Sequence, residues 1–250
     1  MSRAARLRDS LDRLHRVADT LASPGVAKAL ARCRPFSIAS FRIVAAVAEA
    51  GVEPDIVLDV GANRGQFAAA ALHRWPGCRV VSFEPVEAVA AQLRAVRSGG
   101  RLTVHQVALG RRSGVLPIHV HRYSPSTSAL AALDATDEAS IVEVRLCTLD
   151  EVLADVDLAG RRVLLKLDVQ GFEVEVLAGA TEVLGAVDRI VVEQAFVPAY
   201  DGQPLFEEVH VVLQGLGFRL DRLVDARRAG GQVVEVDCLY ARSTASPSPT

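Results

Sequence analysis

Four acidic residues each close a short apolar run: Asp59 in "DIVLDVGANRG", Glu84 in "RVVSFEP", Asp168 in "VLLKLDVQG" and Glu193 in "RIVVEQ". Near-continuous Val, Leu and Ile runs read as buried parallel strands, and open α/β sheets bind ligands beyond the carboxyl ends of such strands. A carboxylate there can accept hydrogen bonds from ligand hydroxyls, offset a positive charge or take up a proton.

The loop after the first run narrows the ligand. A dinucleotide fingerprint needs glycine at its first, third and sixth positions, so that a pyrophosphate rests on a helix N-terminus. Counting from Gly61, those later positions are Asn63 and Gln66, and the pattern is Asp-x-Gly-x-x-x-Gly instead. Asp59, placed before the glycines, would repel a pyrophosphate but suits a cationic ligand that carries an amino group. S-adenosylmethionine has an ammonium and a sulfonium and no phosphate. Glu84 follows Asp59 by 25 residues and is placed to accept hydrogen bonds from both ribose hydroxyls. Nicotinamide enzymes share that acid; together with the failed pyrophosphate loop it favours S-adenosylmethionine.

The third run, "LLKLDVQGFEVEVLAGA", is the richest. Lys166 precedes Asp168 by two residues and so points to the same strand face. A buried ion pair is the plain structural alternative to a catalytic pair. Glu173 reads equally well as a first-turn helix acid or as a functional group. Glu193 ends the next strand beside Asp168, so the two carboxylates could bind a divalent cation, or one could act as general base. The spacing fixes no third ligand, which leaves a metal unassigned. His73, His105, His119, His121 and His210 are further candidate bases, with His119 and His121 nearest a variable loop.

These residues need a frame. Strands are predicted at Ile56–Val60, Arg79–Phe83, Leu102–Val107, Val163–Asp168 and Arg189–Glu193, with helices at 65–74, 86–97, 171–184 and 204–215. The alternation implies a doubly wound, mostly parallel sheet of seven strands. Asp168 would end its fourth core strand, at the centre. Strands around Val115–Val120 and Ile141–Leu146 flank the loop "HRYSPSTSALAALDATDEAS", which interrupts the alternation where substrate loops sit. Two antiparallel strands end the domain. Residues 1–51 form a helical extension, with a helix near 7–21 and another capped by Ser37. Residues 52–242 are the ligand-binding domain, and 243–250 are a disordered tail.

Composition excludes several classes. Half of the 250 residues are apolar and 23% are charged, enough for a sizeable core. The net charge of −2 gives no footprint for nucleic acid. Nine basic residues against Asp9, Asp12 and Asp19 in the first 42 read as a solvated helical face. No stretch approaches the roughly 20 apolar residues of a membrane span. Cys33, Cys78, Cys147 and Cys238 form no CxxC pair, which fits buried thiols in a reducing, cytoplasmic setting.

Taken in order, "VLDVGANRGQFA", "VVSFEPV", "VALG", "TLDEVL", "LLKLDVQGFEVEVLAGA", "VVEQ" and "PLFEEVHVVLQGLGFRL" resemble the FkbM-type methyltransferases over about residues 52–221. The resemblance implies an S-adenosylmethionine-dependent O-methyltransferase acting on hydroxyls of sugars or natural products. It implies that Asp59, Gly61, Ala62, Asn63, Gly65 and Phe67 form the cofactor loop and that Glu84 holds the ribose. Pro85, Gln106 and Ala108 join the cofactor contacts, and Ser126 and Ser128 fall in a serine-rich acceptor loop. Asp168, with Glu193 as partner and Lys166 steadying charge, is the candidate catalytic set. A nicotinamide-dependent oxidoreductase and a non-catalytic cofactor-fold module are the alternatives, and homo-oligomeric assembly is open.

Overall fold

The computed structural model describes residues 35–120, 128–133 and 140–243. The expected helix at 7–21, His121, Ser126 and residues 244–250 lie outside the described residues. Described helices are α1 (Ile38–Glu49), α2 (Gln66–Arg74), α3 (Glu87–Arg94), α4 (Leu149–Val152), α5 (Glu173–Ala178) and α6 (Phe206–Gly215). The strands of the main sheet are β1 (Ile56–Val60), β2 (Arg79–Phe83), β3 (Leu102–His105), β7 (Val163–Leu167), β8 (Val187–Ala195), β9 (Phe218–Ala229) and β10 (Gln232–Arg242). Between them β4 (Ala108–Leu109), β5 (Gly114–Val120) and β6 (Ser140–Cys147) make a second, three-stranded sheet.

The seven-stranded sheet runs β3-β2-β1-β7-β8-β10-β9, with the first five strands parallel and β10 antiparallel to both its neighbours. This is the expected doubly wound α/β fold, with β7 fourth in order. The chain's progress across the sheet reverses between β1 and β7, so the ligand crevice falls at that junction.

Alternation along the strands sorts the core into two layers. Leu58, Val60, Val81, Phe83, Leu165, Leu167, Ile190 and Val192 face α5 and α6, where Val176, Leu177, Val209 and Leu213 meet them. Val57, Val80, Leu164 and Val191 face the other way, onto Ile43, Val44 and Val47 of α1 and the alanines and Phe67 of α2. Ser37 caps α1 by accepting from Ser40 N at 3.3 Å. So α1, although part of the N-terminal extension, packs into the core of the domain.

Several expected elements end early, the helix over 86–97 among them, at Arg94. The third strand stops at His105 rather than Val107, because Ala108 and Leu109 pair with β6 in the second sheet. The helix expected over 171–184 stops at Ala178. A Cβ on Gly179 would lie 2.0 Å from the Gly110 carbonyl oxygen, so chain 110 passes where the helix would continue. A short 3-10 turn, Val183–Ala186, follows.

Candidate functional site

Three polar side chains stand in one row across the sheet. The register sets Asp59 opposite Ser82 on β2 and opposite Lys166 on β7, all three buried and on the α1/α2 face. Ser82 Oγ donates to Asp59 Oδ2 at 3.4 Å. Lys166 Nζ lies 3.5 Å from Asp59 Oδ1 and 3.1 Å from Asp168 Oδ2, and donates to the Gly61 carbonyl at 3.2 Å. It also sits 5.8 Å above the centre of the Phe67 ring. Burial alone would lower the Lys166 pKa, but the charges of Asp168 and Asp59 outweigh it and hold the ammonium above its ordinary value. Asp59 is raised, by burial first, with Lys166 opposing.

The backbone brings the β1 and β7 ends into contact. Asp168 N donates to Val60 O at 3.2 Å, and a Cβ on Gly61 (φ +75°) would lie 1.9 Å from the Asp168 carbonyl oxygen. Only glycine fits that approach. Asn63 adopts φ 49°, a left-handed conformation that asparagine tolerates better than most residues. This accounts for asparagine where a glycine was looked for. Its amide donates to Glu84 Oε2 at 3.0 Å, while Val86 N donates to Glu84 Oε1 at 3.0 Å. Burial pushes the Glu84 carboxyl up to about 7, against those two amides. A carboxylate has about four lone-pair sites, so acceptor capacity remains on both oxygens.

A cleft of about 190 Å³ opens beyond these strand ends. Gly61, Asn63, Glu84, Pro85 and Ala108 line one half; Asp168, Gln170, Phe172 and Glu193 line the other, with Leu109, Leu116 and Ile118 of the small sheet as its apolar wall. Sequence reasoning thus placed Gly61, Asn63, Glu84, Pro85, Ala108, Asp168 and Glu193 on one cleft. Asp59 and Lys166 lie behind it, paired with each other, and Lys166 pairs with Asp168 as well. Ala62 and Phe67 are buried beneath the loop. Gly65 does not line the cleft either: a Cβ there would meet Leu93 Cδ1 at 2.6 Å and Val96 Cγ2 at 2.8 Å, so it serves the packing of α2 on α3. Gln106 is exposed and accepts from Arg94 at 3.3 Å, away from the cleft.

The acids on the far wall are bridged. Gln170 Nε2 donates to Asp168 Oδ1 at 2.9 Å and to Glu193 Oε2 at 2.7 Å. For Asp168, burial works upward but Lys166 and Gln170 prevail and its carboxyl is held below the ordinary range. Glu193 is pushed well above it, by burial first and then by Asp168, Glu235 and its cross-strand neighbour Asp237. Asp237 is raised in the same way. Glu173 acts locally, since its Oε1 accepts from Val169 N at 3.1 Å and Gly171 N at 3.3 Å, which folds the turn that carries Gln170. Its carboxyl is raised to about 7 by burial.

Several expected contacts fall elsewhere. Ser128 reaches the cleft, but its hydroxyl donates to the Gln170 carbonyl at 2.7 Å and accepts from Leu130 N at 3.0 Å. Among the described residues no histidine lines the cleft. His105 stacks on Phe83 at 5.4 Å, and His210 hydrogen-bonds the Tyr240 hydroxyl at 2.8 Å. No group of three or more His, Cys, Asp or Glu is arranged to hold a metal ion among the described residues. Between Asp168 and Glu193 sits an amide donor, the Gln170 side chain. Gln170 itself escaped sequence reasoning although it lies inside the "KLDVQGFE" motif.

The donor set fits S-adenosylmethionine. The charged side chains on the cleft wall are carboxylates, Glu84 keeps free acceptor capacity, and no residue of α2 is among the lining residues, so nothing among the described residues there is built for a pyrophosphate. Among the described residues no helix is long and apolar enough to cross a membrane.

Comparison with known proteins adds to this geometry. The Methyltransferase FkbM domain family matches residues 59–220. The 31-O-demethyl-FK506 methyltransferase FkbM of Streptomyces tacrolimicus is 29% identical over 220 residues, 76% of this chain and 82% of that protein. Methyltransferase 1 of Beauveria bassiana (strain ARSEF 2860) is 26% identical over 186 residues, 66% of this chain and 73% of that one. Among solved structures, magnesium protoporphyrin IX methyltransferase ChlM from Synechocystis PCC 6803, with bound SAM, aligns at TM-score 0.47 and 14% identity, over 91% of this chain and 95% of that one. The mitomycin 7-O-methyltransferase MmcR aligns at TM-score 0.46 and 15% identity, over 82% of this chain, which spans only 53% of that protein.

Proposed function

The chain belongs to the FkbM methyltransferase family and is an S-adenosylmethionine-dependent methyltransferase, and we propose that it methylates a hydroxyl oxygen of an uncharged sugar or apolar natural product. The observation that carries this reading is the composition of the acceptor wall. Asp168 and Glu193 stand beside Leu109, Leu116, Ile118 and Phe172, and the buried cation behind them, Lys166, is already engaged by two carboxylates. An anionic acceptor would meet carboxylates on this wall; a neutral body with a hydroxyl meets apolar surface and hydrogen-bond acceptors. The name of the Streptomyces tacrolimicus relative, which specifies an O-demethyl substrate, supports oxygen as the target atom.

Bound S-adenosylmethionine supplies an electrophilic methyl group on a sulfonium. The protein's part is to present an oxygen behind that methyl and to remove its proton. Asp168, kept ionised by Lys166, accepts the hydrogen bond of the acceptor hydroxyl and fixes its direction. The Asp168–Glu193 pair takes up the proton as one unit, since two carboxylates joined through one amide titrate together. Glu84 holds the ribose hydroxyls on the opposite half of the cleft.

The test is tritium transfer from methyl-labelled S-adenosylmethionine into a panel of neutral, anionic and amine acceptors. Label in neutral alcohols, lost in Asp168→Asn with S-adenosylhomocysteine binding intact, is the expected result. Preferential labelling of amines or of carboxylate-bearing acceptors would overturn it.

A further inference from the structure

We propose that Gln170 is a positioning residue for this reaction: its amide holds the Asp168 and Glu193 carboxylates in register on the cleft wall, and Tyr200 holds the amide. The inference rests on the methyltransferase reading above.

Three observations converge on this side chain. Its backbone is left-handed, φ 55°, a conformation rare for a residue with a Cβ, and the neighbouring amides of Val169 and Gly171 are pinned by Glu173. Such backbones persist where surrounding structure over-determines them, and they cluster at functional sites. Next, the chemistry of the partners fixes the amide orientation. Asp168, held ionised, only accepts, so Nε2 must face it; the same Nε2 donates to Glu193, which leaves Oε1 to accept from the Tyr200 hydroxyl at 2.8 Å. Finally, the main-chain carbonyl of Gln170 accepts from Ser128 Oγ. Residues 128–133 and 199–201 are themselves joined, with Leu133 N donating to Ala199 O at 2.9 Å and Asp201 N to Ala131 O at 2.8 Å. One residue therefore links both segments to both acids.

Asp168 and Glu193 approach each other in a setting already crowded with acid. Asp59 and Lys166 lie on the Asp168 side; Glu235 and Asp237 of β10 and Asp225 of β9 lie on the other, where Arg227 pairs with Glu235 and Arg42 of α1 with Asp225. The Gln170 N–H groups are the neutral donors that let two carboxylates share this wall without a second cation.

The experiment uses the full chain, as wild type, Gln170→Leu and Tyr200→Phe. Its readouts are carboxyl-carbon NMR titration, exchange of the Gln170 side-chain NH2 signals, S-adenosylhomocysteine calorimetry and the initial rate of tritium transfer into the acceptor panel. In Gln170→Leu we expect the high-titrating carboxyl to move by about one pH unit or more and transfer to fall by about 100-fold, with S-adenosylhomocysteine affinity unchanged. In Tyr200→Phe the NH2 signals should lose their protection and the carboxyl should move in the same direction by less. Titration curves that match wild type in Gln170→Leu overturn the proposal. If that variant does not fold, unchanged NH2 protection in Tyr200→Phe overturns it. The NMR readouts contain no acceptor, so a wild-type enzyme that labels no hydroxyl would sink the functional reading and leave this result standing on its own.

Discussion

Asp59 and Lys166 are directly opposed on neighbouring parallel strands, and Lys166 Nζ is shared between Asp59 Oδ1 at 3.5 Å and Asp168 Oδ2 at 3.1 Å. One ammonium thus serves a carboxylate sealed in the core and another on the cleft wall. Breaking a buried pair from one side leaves an uncompensated charge, at about 3–5 kcal/mol. Lys166→Met should lose stability of that order in urea unfolding, and Asp59→Asn combined with Lys166→Met should recover most of it. The double variant should still transfer methyl poorly, because Asp168 has lost its counter-ion. A loss below about 1 kcal/mol in the single variant, the range of exposed pairs, would show that the pair is not what holds Asp59.

Glu84 accepts one backbone amide on each oxygen, from Asn63 and from Val86. A glutamine has a single acceptor oxygen, so Glu84→Gln must turn an NH2 toward one of those donors. With one charged hydrogen bond also lost to the ribose, S-adenosylhomocysteine affinity should fall by about 10–100-fold. Because burial places this carboxyl at about 7, wild-type affinity should rise between pH 6 and pH 8, with proton release on binding at pH 6. Calorimetry in buffers of different ionisation heat reads both effects, and the pH step should vanish in the variant.

Glu173 gives a stability prediction of definite sign. Its carboxyl is raised from 4.5 to about 7, so the folded state binds the proton more tightly than the unfolded state. Its contribution is complete below pH 4.5 and is lost as pH rises through 7, by roughly 3 kcal/mol in all. Glu173→Gln keeps the oxygen that accepts from Val169 and Gly171 and removes the buried charge. Relative to wild type, the variant should therefore be more stable at pH 8.5 than at pH 5. An equal difference at both values in urea unfolding would contradict the assignment.

Gly61 and Gly65 should respond differently to alanine. At Gly61 the new methyl collides with the fixed Asp168 carbonyl, 1.9 Å away, so Gly61→Ala must pull the β1 and β7 loops apart and abolish S-adenosylhomocysteine binding. At Gly65 it meets the movable ends of Leu93 and Val96, so the cost is overpacking and positive-φ strain, about 1–3 kcal/mol, with binding retained by the folded fraction. A thermal melt and a binding titration on each variant separate the two.

Much of this was legible in the sequence, for a physical reason. β1, β2, β7 and β8 are largely buried on both faces, so their apolar runs stand out, and the acids near their ends are marked by contrast, although β8 runs two residues past Glu193 through its pairing with β10. The loop "GANRG" was legible as one unsuited to pyrophosphate, and the family match replaces the nicotinamide alternative with a methyltransferase. Periodicity does not report depth, however. Asp59 reads like Glu84 in the sequence, yet Ser82 and Lys166 close over it while Glu84 opens on the cleft. Gly65 looked like a ligand glycine because α2-to-α3 packing is set by Leu93 and Val96, 28 and 31 residues on. The Gln170 bridge depends on partners at Asp168, Glu193, Ser128 and Tyr200, brought together only by the crossing of separate segments. The helix over 171–184 failed for a similar reason, since Gly110 belongs to another stretch of chain.

Among the described residues the strand order leaves the main sheet two unpaired rims, and the chain treats them unequally. β3 offers only four residues, while β9 runs for twelve. A long unpaired rim is a template for association with another chain. Along β9, however, stand Arg219, Asp221, Arg222, Asp225, Arg227 and Arg228, and its ladder with β10 slips at three places. An incoming strand would have to desolvate those charges and match a bent rim. The antiparallel pair that completes the sheet thus ends it on a rim ill-suited to adding a further strand.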